Sequence, residues 1–102
     1  MIGGGSGGVR AARVAAAYGA RVVVIESDRL GGTCVNAGCI PKKILSYAAH
    51  LGDDLRSAEG FGWHVGETRF DWATLKASSD AEIARLNRAY GDLLDLSLIH
   101  IS

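Results

Sequence analysis

The sequence has no excess of charge of one sign, since 11 basic and 11 acidic residues give a formal net charge of zero. This balance argues against nucleic-acid binding, which needs a basic face, and against a polybasic membrane anchor. No apolar run reaches the roughly 18 residues of a transmembrane helix, so no membrane partner is expected. No signal peptide is visible after Met1, which predicts a cytoplasmic protein.

Cysteine is also scarce, with only two residues in the chain. Thiols in a cytoplasmic protein are normally reduced, so a reactive pair is favoured over a structural one. The 102 residues allow one small domain, and 48% hydrophobic residues suffice for a core. Only one clear βα unit is visible, whereas a parallel sheet needs several. We therefore expect the chain to be a fragment.

The first 26 residues have the order of a nucleotide-binding unit. A glycine-rich segment at 3–8 precedes an Ala-rich helix predicted over Val9–Tyr18, which ends at Gly19. The run from Arg21 to Glu26 is β-branched and nearly all apolar, which predicts a strand buried on both faces. Loop, helix and strand form the second half of a βαβ unit, and the first strand is represented only by two apolar residues before the glycines. The fold class is α/β.

The middle of the chain is predicted as a glycine-rich loop over 30–38 followed by two long helices. The first helix should begin near Cys39–Pro41, because proline is favoured in the first turn, and should fade near Gly60. Asp71 is placed to cap the second helix. The capping-box pattern Ser79-x-x-Glu82 predicts a restart or a kink within it.

The last seven residues, 96–102, do not fit this pattern. They form an apolar run without a cap, which we expect to be exposed. The segment is similar to translated sequencing-adaptor read-through. We therefore predict a partial domain over 1–95 and a non-native tail over 96–102.

The spacing Gly3-x-Gly5-x-x-Gly8 is typical of dinucleotide binding, because the glycines permit a tight turn, a close pyrophosphate and close helix packing. The following helix directs unpaired N–H groups at phosphates, and Ser6 adds a hydroxyl donor. Glu26 lies 23 positions after Gly3, near the distance expected for an acid that binds a ribose 2′-OH. A carboxylate there suits FAD or NAD better than NADP. The alternatives are a flexible glycine loop and a solvated strand-end carboxylate.

Cys34 and Cys39 are five positions apart, and a loose helical turn with Gly38 can bring them within disulfide distance. The start of the next helix would stabilise a thiolate, which favours an exchangeable pair. Spacing alone nevertheless favours two separate buried cysteines. The nearby sequence lacks the further ligands of a zinc site, so no metal is predicted.

Residues 31–43, GGTCVNAGCIPKK, resemble the redox-active disulfide segment of the FAD-dependent pyridine nucleotide–disulfide oxidoreductases. The segments IGGGSGG and VVVIE occur in the same order as in that family. The lysine pair after Pro41 is similar to that of the glutathione and trypanothione reductases. The segments FDWATLK and DAEIARLNRAYGDLL resemble those of bacterial glutathione reductases. The resemblance extends over nearly everything before Leu96 and implies a partial FAD/NAD(P)-binding Rossmann-like domain.

The resemblance implies FAD as the bound cofactor and NADPH as a co-substrate whose site lies outside this chain. Thr33 would lie close to the flavin, and Glu26 would bind the adenosine ribose. The FAD pyrophosphate would be held by the glycine loop and its serine, which comprise Gly3, Gly5, Ser6, Gly7 and Gly8.

For catalysis, the resemblance implies that Cys39 is the thiol beside the flavin and that Cys34 attacks oxidised glutathione. Lys42 would lie near the flavin and pair with an acid from outside the chain. Tyr90 would line the substrate entrance, although a core aromatic is an equally good interpretation. Lys43 is expected to be solvated. The full-length protein would be a homodimer that reduces oxidised glutathione with NADPH.

Three alternatives stay open at this point. The parent protein could act on another substrate, as the trypanothione, mercuric or dihydrolipoamide enzymes do. The chain could be a nucleotide-binding module without disulfide chemistry, in which case the two cysteine Cα atoms would lie more than about 7 Å apart. Finally, the chain could have no activity by itself, because an incomplete sheet leaves an open edge.

Overall fold

The computed structural model describes residues 1–97 and 99–102. Most of these residues are helical, and the strands are short. The elements in chain order are α1 (Ser6–Ala17), β1 (Val23–Val24), α2 (Gly32–Ala37), α3 (Cys39–Ser57), a 3-10 turn (Ala58–Phe61), α4 (Trp72–Leu96) and β2 (His100–Ile101).

β1 lies between two parallel neighbours. On one side it pairs with β2, with Val23 opposite His100. On the other side Ile2 and Ile25 form a parallel bridge, and the Gly3 amide donates to the Ile25 carbonyl at 2.8 Å. Two parallel segments joined through α1 are the arrangement that the sequence predicted, so the α/β interpretation is confirmed.

The prediction of a strand buried on both faces was wrong. Only Val24 is buried, whereas Val23 and Ile25 are 45% and 52% exposed. Strand side chains alternate between the two faces of a sheet, and the helices of this chain cover one face. The regular strand is also shorter than the predicted range 21–26.

The core lies between α1, β1 and the end of α4. α1 begins at Ser6, three residues before the predicted start, and it buries Val9 and Ala12. These side chains form one cluster with Val24, Leu94 and Ile99. The burial of Ile99, which is 4% exposed, contradicts the expectation that residues 96–102 form an exposed apolar run.

The segment predicted as a loop over 30–38 contains a helix, α2. Gly31, with φ +103°, turns the chain into it. The Asn36 side chain then donates to the Gly32 carbonyl at 2.9 Å, which holds the short helix closed. Sequence patterns miss such a helix because its six residues are too few to show a period.

The two long helices begin where the sequence predicted. α3 starts at Cys39, and Asp71 caps α4 by accepting hydrogen bonds from the amides of Ala73 and Thr74. The predicted restart or kink at Ser79 was wrong, because α4 runs unbroken to Leu96. Glu82 pairs with Arg85 on the helix surface instead of closing a capping box.

The molecule is elongated, with extents of 60 × 25 × 18 Å. Its radius of gyration is 19.2 Å, against about 13 Å for a compact chain of this length. None of the 19 residues of α3, all of them described, is buried. The core cluster lies next to the glycine loop, because Val9 directly follows that loop.

Candidate functional site

The glycine loop connects Ile2, which bridges to Ile25, to the start of α1 at Ser6, and only three residues lie between them. Gly3 has φ +95°, a left-handed conformation that glycine adopts without strain. A Cβ on Gly8 would lie 1.9 Å from the Gly3 carbonyl oxygen, so a side chain there cannot fit. The first and third glycines of the motif therefore have the roles that the sequence predicted, a tight turn and close packing.

The second part of the loop is open to solvent. Ser6 and Gly7 are exposed, and a Cβ on Gly7 would meet nothing within 4 Å. Gly5 caps α1 without any side-chain hydrogen bond, so the first-turn amides are not covered by a protein side chain. Unpaired amides at the start of a 12-residue helix are suited to bind a phosphate.

The glycine loop is in direct contact with the turn before α2. Gly5 and Gly31 form a parallel bridge, and the Gly31 amide donates to the Gly4 carbonyl at 2.8 Å. A Cβ on Gly32 would lie only 2.8 Å from the Gly5 Cα. The absence of side chains here lets the start of α2 lie against the start of α1.

Cys34 and Cys39 form a disulfide that joins α2 to α3, with their Cα atoms 4.6 Å apart. This distance rules out the alternative with two separate cysteines, which required more than about 7 Å. A Cβ on Gly38, between the two helices, would lie 3.0 Å from the Thr33 carbonyl oxygen. The bridge thus needs a tight turn that glycine provides.

The surroundings of the disulfide are accessible. Cys34 is half-buried and Cys39 is exposed. Cys39 is the first residue of α3, where the positive end of the helix dipole stabilises an anion. Lys42 lies one turn later on the same face of α3 and is exposed, as is Thr33 in α2. The arrangement provides a disulfide that external reagents can reach.

The carboxylate of Glu26 lies against the glycine loop. It accepts a hydrogen bond from the Gly4 amide at 2.7 Å and one from the Asp28 amide at 3.0 Å. These two bonds, the Gly4 bond above all, lower the pKa of Glu26 below its ordinary value of 4.5. The Glu26 side chain is therefore held as an anion against the glycine loop. Glu26 is the acid that the sequence motif assigns to the ribose 2′-OH.

Tyr90 lies in α4, far in sequence from α2 and α3, the helices that the disulfide joins. Its side chain is partly buried and packs against the core cluster. This packing agrees with the interpretation of Tyr90 as a core aromatic, which is one of the two interpretations that the sequence left open. The role of Tyr90 at a substrate entrance stays a prediction.

Sequence reasoning missed two features of the site. The turn glycines Gly31 and Gly32 were interpreted as loop, although their positive φ angles of 103° and 65° place α2 against the glycine loop. Asn87 of α4 also reaches this turn and donates to the Leu30 carbonyl at 2.6 Å. The glycine pair at 31–32 was the available signal for the turn into α2. The sequence held no signal for the contact of Asn87.

The geometry fits FAD. A flavin dinucleotide is long, with a pyrophosphate in the middle and the reactive ring at one end. The structure provides open, uncapped amides at the start of α1, and the helix that carries Cys34 adjoins them through the Gly5–Gly31 contact. The space beside Gly7 and the missing Cβ atoms along the loop leave room for the phosphates.

Comparison with known proteins identifies this arrangement. The family model described as pyridine nucleotide-disulphide oxidoreductase matches residues 1–99. The chain belongs to the pyridine nucleotide–disulphide oxidoreductase family. The partial Rossmann-like fold predicted from the sequence agrees with this membership.

Three curated relatives of the chain are named glutathione reductase. The chain is 52% identical over 101 residues to that of Burkholderia cepacia, which covers 99% of this chain. It is 42% identical over 95 residues to the Nostoc sp. enzyme and 48% identical over 94 residues to that of Yarrowia lipolytica, covering 93% and 88% of this chain. The chain spans about a fifth of the length of these relatives, namely 22%, 21% and 20%.

Within residues 1–97 and 99–102, no helix combines the length and the apolar character needed to cross a bilayer. In the same part of the chain, no three His, Cys, Asp or Glu residues come together as ligands of a metal ion.

Proposed function

We propose that this chain provides the FAD-binding glycine loop and the redox-active disulfide of a glutathione reductase that uses NADPH. The observation that carries the proposal is the Cys34–Cys39 disulfide, which joins α3 to α2, the helix whose start lies against the glycine loop. The three relatives at 42–52% identity are named glutathione reductase, which favours glutathione over other disulfide substrates.

The FAD pyrophosphate would be bound by the glycine loop and the start of α1. The amides after Gly5 and the hydroxyl of Ser6 would donate to the phosphates, and the open space at Gly7 would let them approach. Glu26 would bind the ribose hydroxyls, and Thr33 would lie near the flavin. Bound FAD would supply the two electrons, taken from NADPH, that reduce the disulfide.

The two cysteines would then act in turn. The Cys34 thiolate attacks one sulfur of oxidised glutathione, forming a mixed disulfide and releasing one glutathione thiolate. The Cys39 thiolate attacks the Cys34 sulfur, re-forming the Cys34–Cys39 bond and releasing the second glutathione thiolate, and protons from solvent neutralise both products. The start of α3 supports this order, because it stabilises the Cys39 thiolate until it is needed.

Other parts of the proposal concern the surroundings of the disulfide and the whole protein. Lys42, one helical turn after Cys39, would place a positive charge beside the flavin, and Tyr90 would line the substrate entrance. A homodimer and a cytoplasmic location remain predictions. So do the domain boundary after residue 95 and the non-native origin of residues 96–102.

A chimera tests the proposed function. Residues 1–95 replace the matching segment of the Burkholderia cepacia glutathione reductase, and the purified protein is assayed for bound FAD and for reduction of oxidised glutathione by NADPH. We expect a yellow protein that turns over glutathione. Cys34→Ser should still allow NADPH to bleach the flavin. It should abolish glutathione reduction, because a serine at position 34 cannot form the mixed disulfide with glutathione.

Ser46→Ala, an exposed substitution on α3, is the matched control and should retain turnover. Glutathione reduction by the Cys34→Ser chimera would disprove the assigned thiol chemistry. A chimera that binds FAD and accepts NADPH electrons but reduces only other disulfides would disprove glutathione as the substrate.

A further inference from the structure

The chain contains only two asparagines, and they contact each other. Asn87, in α4, donates from its side-chain nitrogen to the side-chain oxygen of Asn36 at 2.9 Å. Asn36 lies in α2, between the two cysteines of the disulfide. Both side chains are partly buried. A distant helix is therefore tied to the segment that carries the redox pair.

The two amides meet at one backbone carbonyl. Leu30 O accepts from Asn87 at 2.6 Å and from Asn36 at 3.3 Å. Asn36 also donates to the Gly32 carbonyl at 2.9 Å. Because Gly31, which follows Leu30, bonds to Gly4, the amide pair links α4, α2 and the glycine loop.

We propose that Asn87 is a positioning residue that keeps the segment with Cys34 next to Cys39 when the disulfide is open. This inference rests on the proposed function, in which the bond opens and closes in each cycle. The hydrogen bonds involve side-chain amides and a backbone carbonyl, neither of which changes on reduction. They can therefore persist in both redox states.

The physical effect concerns the reduced state. Reduction breaks the S–S bond, and a thiol reductant supplies two electrons and two protons that yield two thiols. In the oxidised chain the covalent bond keeps α2 beside α3 whether or not Asn87 is present. In the reduced chain the amide pair holds α2 against α4, and α4 also packs against α3, which carries Cys39. The two sulfurs therefore stay close, which raises their effective concentration and favours the disulfide.

Equilibration with reduced and oxidised glutathione tests the proposal on the full 102-residue chain. After acid quenching and alkylation, mass spectrometry gives the fraction with the Cys34–Cys39 bond. We expect Asn87→Ala to lower the equilibrium constant for disulfide formation about tenfold, the factor expected when roughly one backbone residue gains freedom only in the reduced chain. Asn87→Asp, which keeps the shape but loses the N–H donors, should have the same effect.

Arg88→Ala, at the exposed neighbouring position of α4, is the matched control and should leave the constant unchanged. An unchanged constant in Asn87→Ala would overturn the proposal. So would a normal constant in Asn87→Asp beside a lowered one in Asn87→Ala, because packing rather than hydrogen bonding would then be responsible. Neither result depends on FAD or NADPH, whereas the chimera assay depends on both, so failure of this inference can be distinguished from failure of the proposed function.

A second measurement needs no variant. In NMR spectra of the chain reduced with dithiothreitol, the side-chain amide protons of Asn87 should keep the chemical shifts and the slow exchange of the oxidised chain. Loss of both on reduction would show that the amide pair opens with the disulfide, which would equally overturn the proposal.

Discussion

At the scale of single residues, Glu26 shows how one side chain can serve both the fold and a ligand. Its carboxylate is held by the Gly4 amide, so the anion lies on the loop before any cofactor is bound. A ribose hydroxyl that donates to the same carboxylate would add to this contact, because each carboxylate oxygen can accept more than one hydrogen bond. The residue therefore joins strand, loop and proposed ribose site.

Substitution of Glu26 separates these roles. In the chimera, Glu26→Ala should weaken FAD retention about tenfold, the loss of roughly one charge-assisted hydrogen bond, measured by dialysis and flavin absorbance. Glu59→Ala, an exposed substitution on the 3-10 turn, is the control and should retain FAD. Unchanged FAD content in Glu26→Ala would count against the ribose assignment.

The same side chain should make the loop sensitive to acid. The backbone hydrogen bond from Gly4, followed by that from Asp28, lowers the pKa of Glu26, so the folded form favours the carboxylate. The stabilisation is complete above the ordinary value of 4.5 and is lost as the pH falls through the lowered value. The Gly4 amide resonance should shift along this curve. A Gly4 shift that titrates at or above 4.5 would contradict the contact.

The residues found by sequence reasoning are those whose signal is local. The glycine spacing and the two cysteines were visible because each motif spans six positions, and the structure places both together. The contact of Asn87 with Leu30 joins residues 57 positions apart, and no local pattern records it. The pairing of the cysteines was likewise open until the turn at Gly38 fixed their distance.

At the scale of elements, the start of α4 shows why helix beginnings were easier to predict than helix continuity. Asp71 accepts from the amides of Ala73 and Thr74, a pattern readable from one residue type at one position. Ser79 belongs to an equally good capping pattern, yet it is buried inside the helix. Tertiary packing at Ser79 and Ile83 outweighs the local signal.

Removal of the cap should shorten α4. Asp71→Ala leaves the first amides of α4 without their acceptor, so we expect lower helix content and a thermal midpoint a few degrees lower. Asp71→Asn, which keeps an acceptor, should behave nearly as the unmodified chain does. Circular dichroism during thermal unfolding provides the measurement, and equal melting of all three chains would contradict the assigned cap.

Acid should have a similar effect on α4. Hydrogen bonds from the Thr74 side chain and amide lower the pKa of Asp71 below its ordinary value of 3.8. The additional stabilisation that the ionised carboxylate gives the cap is therefore complete above that value and is lost as the pH falls through the lowered one. In Asp71→Asn the helix content should not follow this transition, and a transition that persists in that variant would assign it to another group.

At the scale of the whole molecule, sequence patterns could not predict which side chains are buried. The run from Arg21 to Glu26 looks like a fully covered strand, but whether a face is covered depends on the elements around it. In this chain Val23 and Ile25 remain about half exposed. Aromatic side chains beyond α3 are also exposed, among them Phe61, Trp63 and Phe70.

Removal of residues 96–102 tests how the small core depends on the end of the chain. Ile99 is buried in the cluster with Val24 and Leu94, and the amides of His100 and Ser102 donate to carbonyls of the β1 segment. We expect the truncation to lower the free energy of unfolding by about 2–4 kcal/mol, measured by urea denaturation. Leu96→Ser, at a side chain 84% exposed, is the control, and an unchanged stability of the truncated chain would contradict the packing described.

The difference between Gly8 and Gly7 provides a way to map the ligand-binding surface by substitution. Gly8 has no room for a methyl group, whereas Gly7 faces empty space. A library selected only for folding should discard every replacement at the first position and accept many at the second. The same library in the chimera, selected for growth that depends on the reductase, should become intolerant at Gly7 as well. Positions that are free in one selection and forbidden in the other would trace the footprint of the dinucleotide on the protein surface.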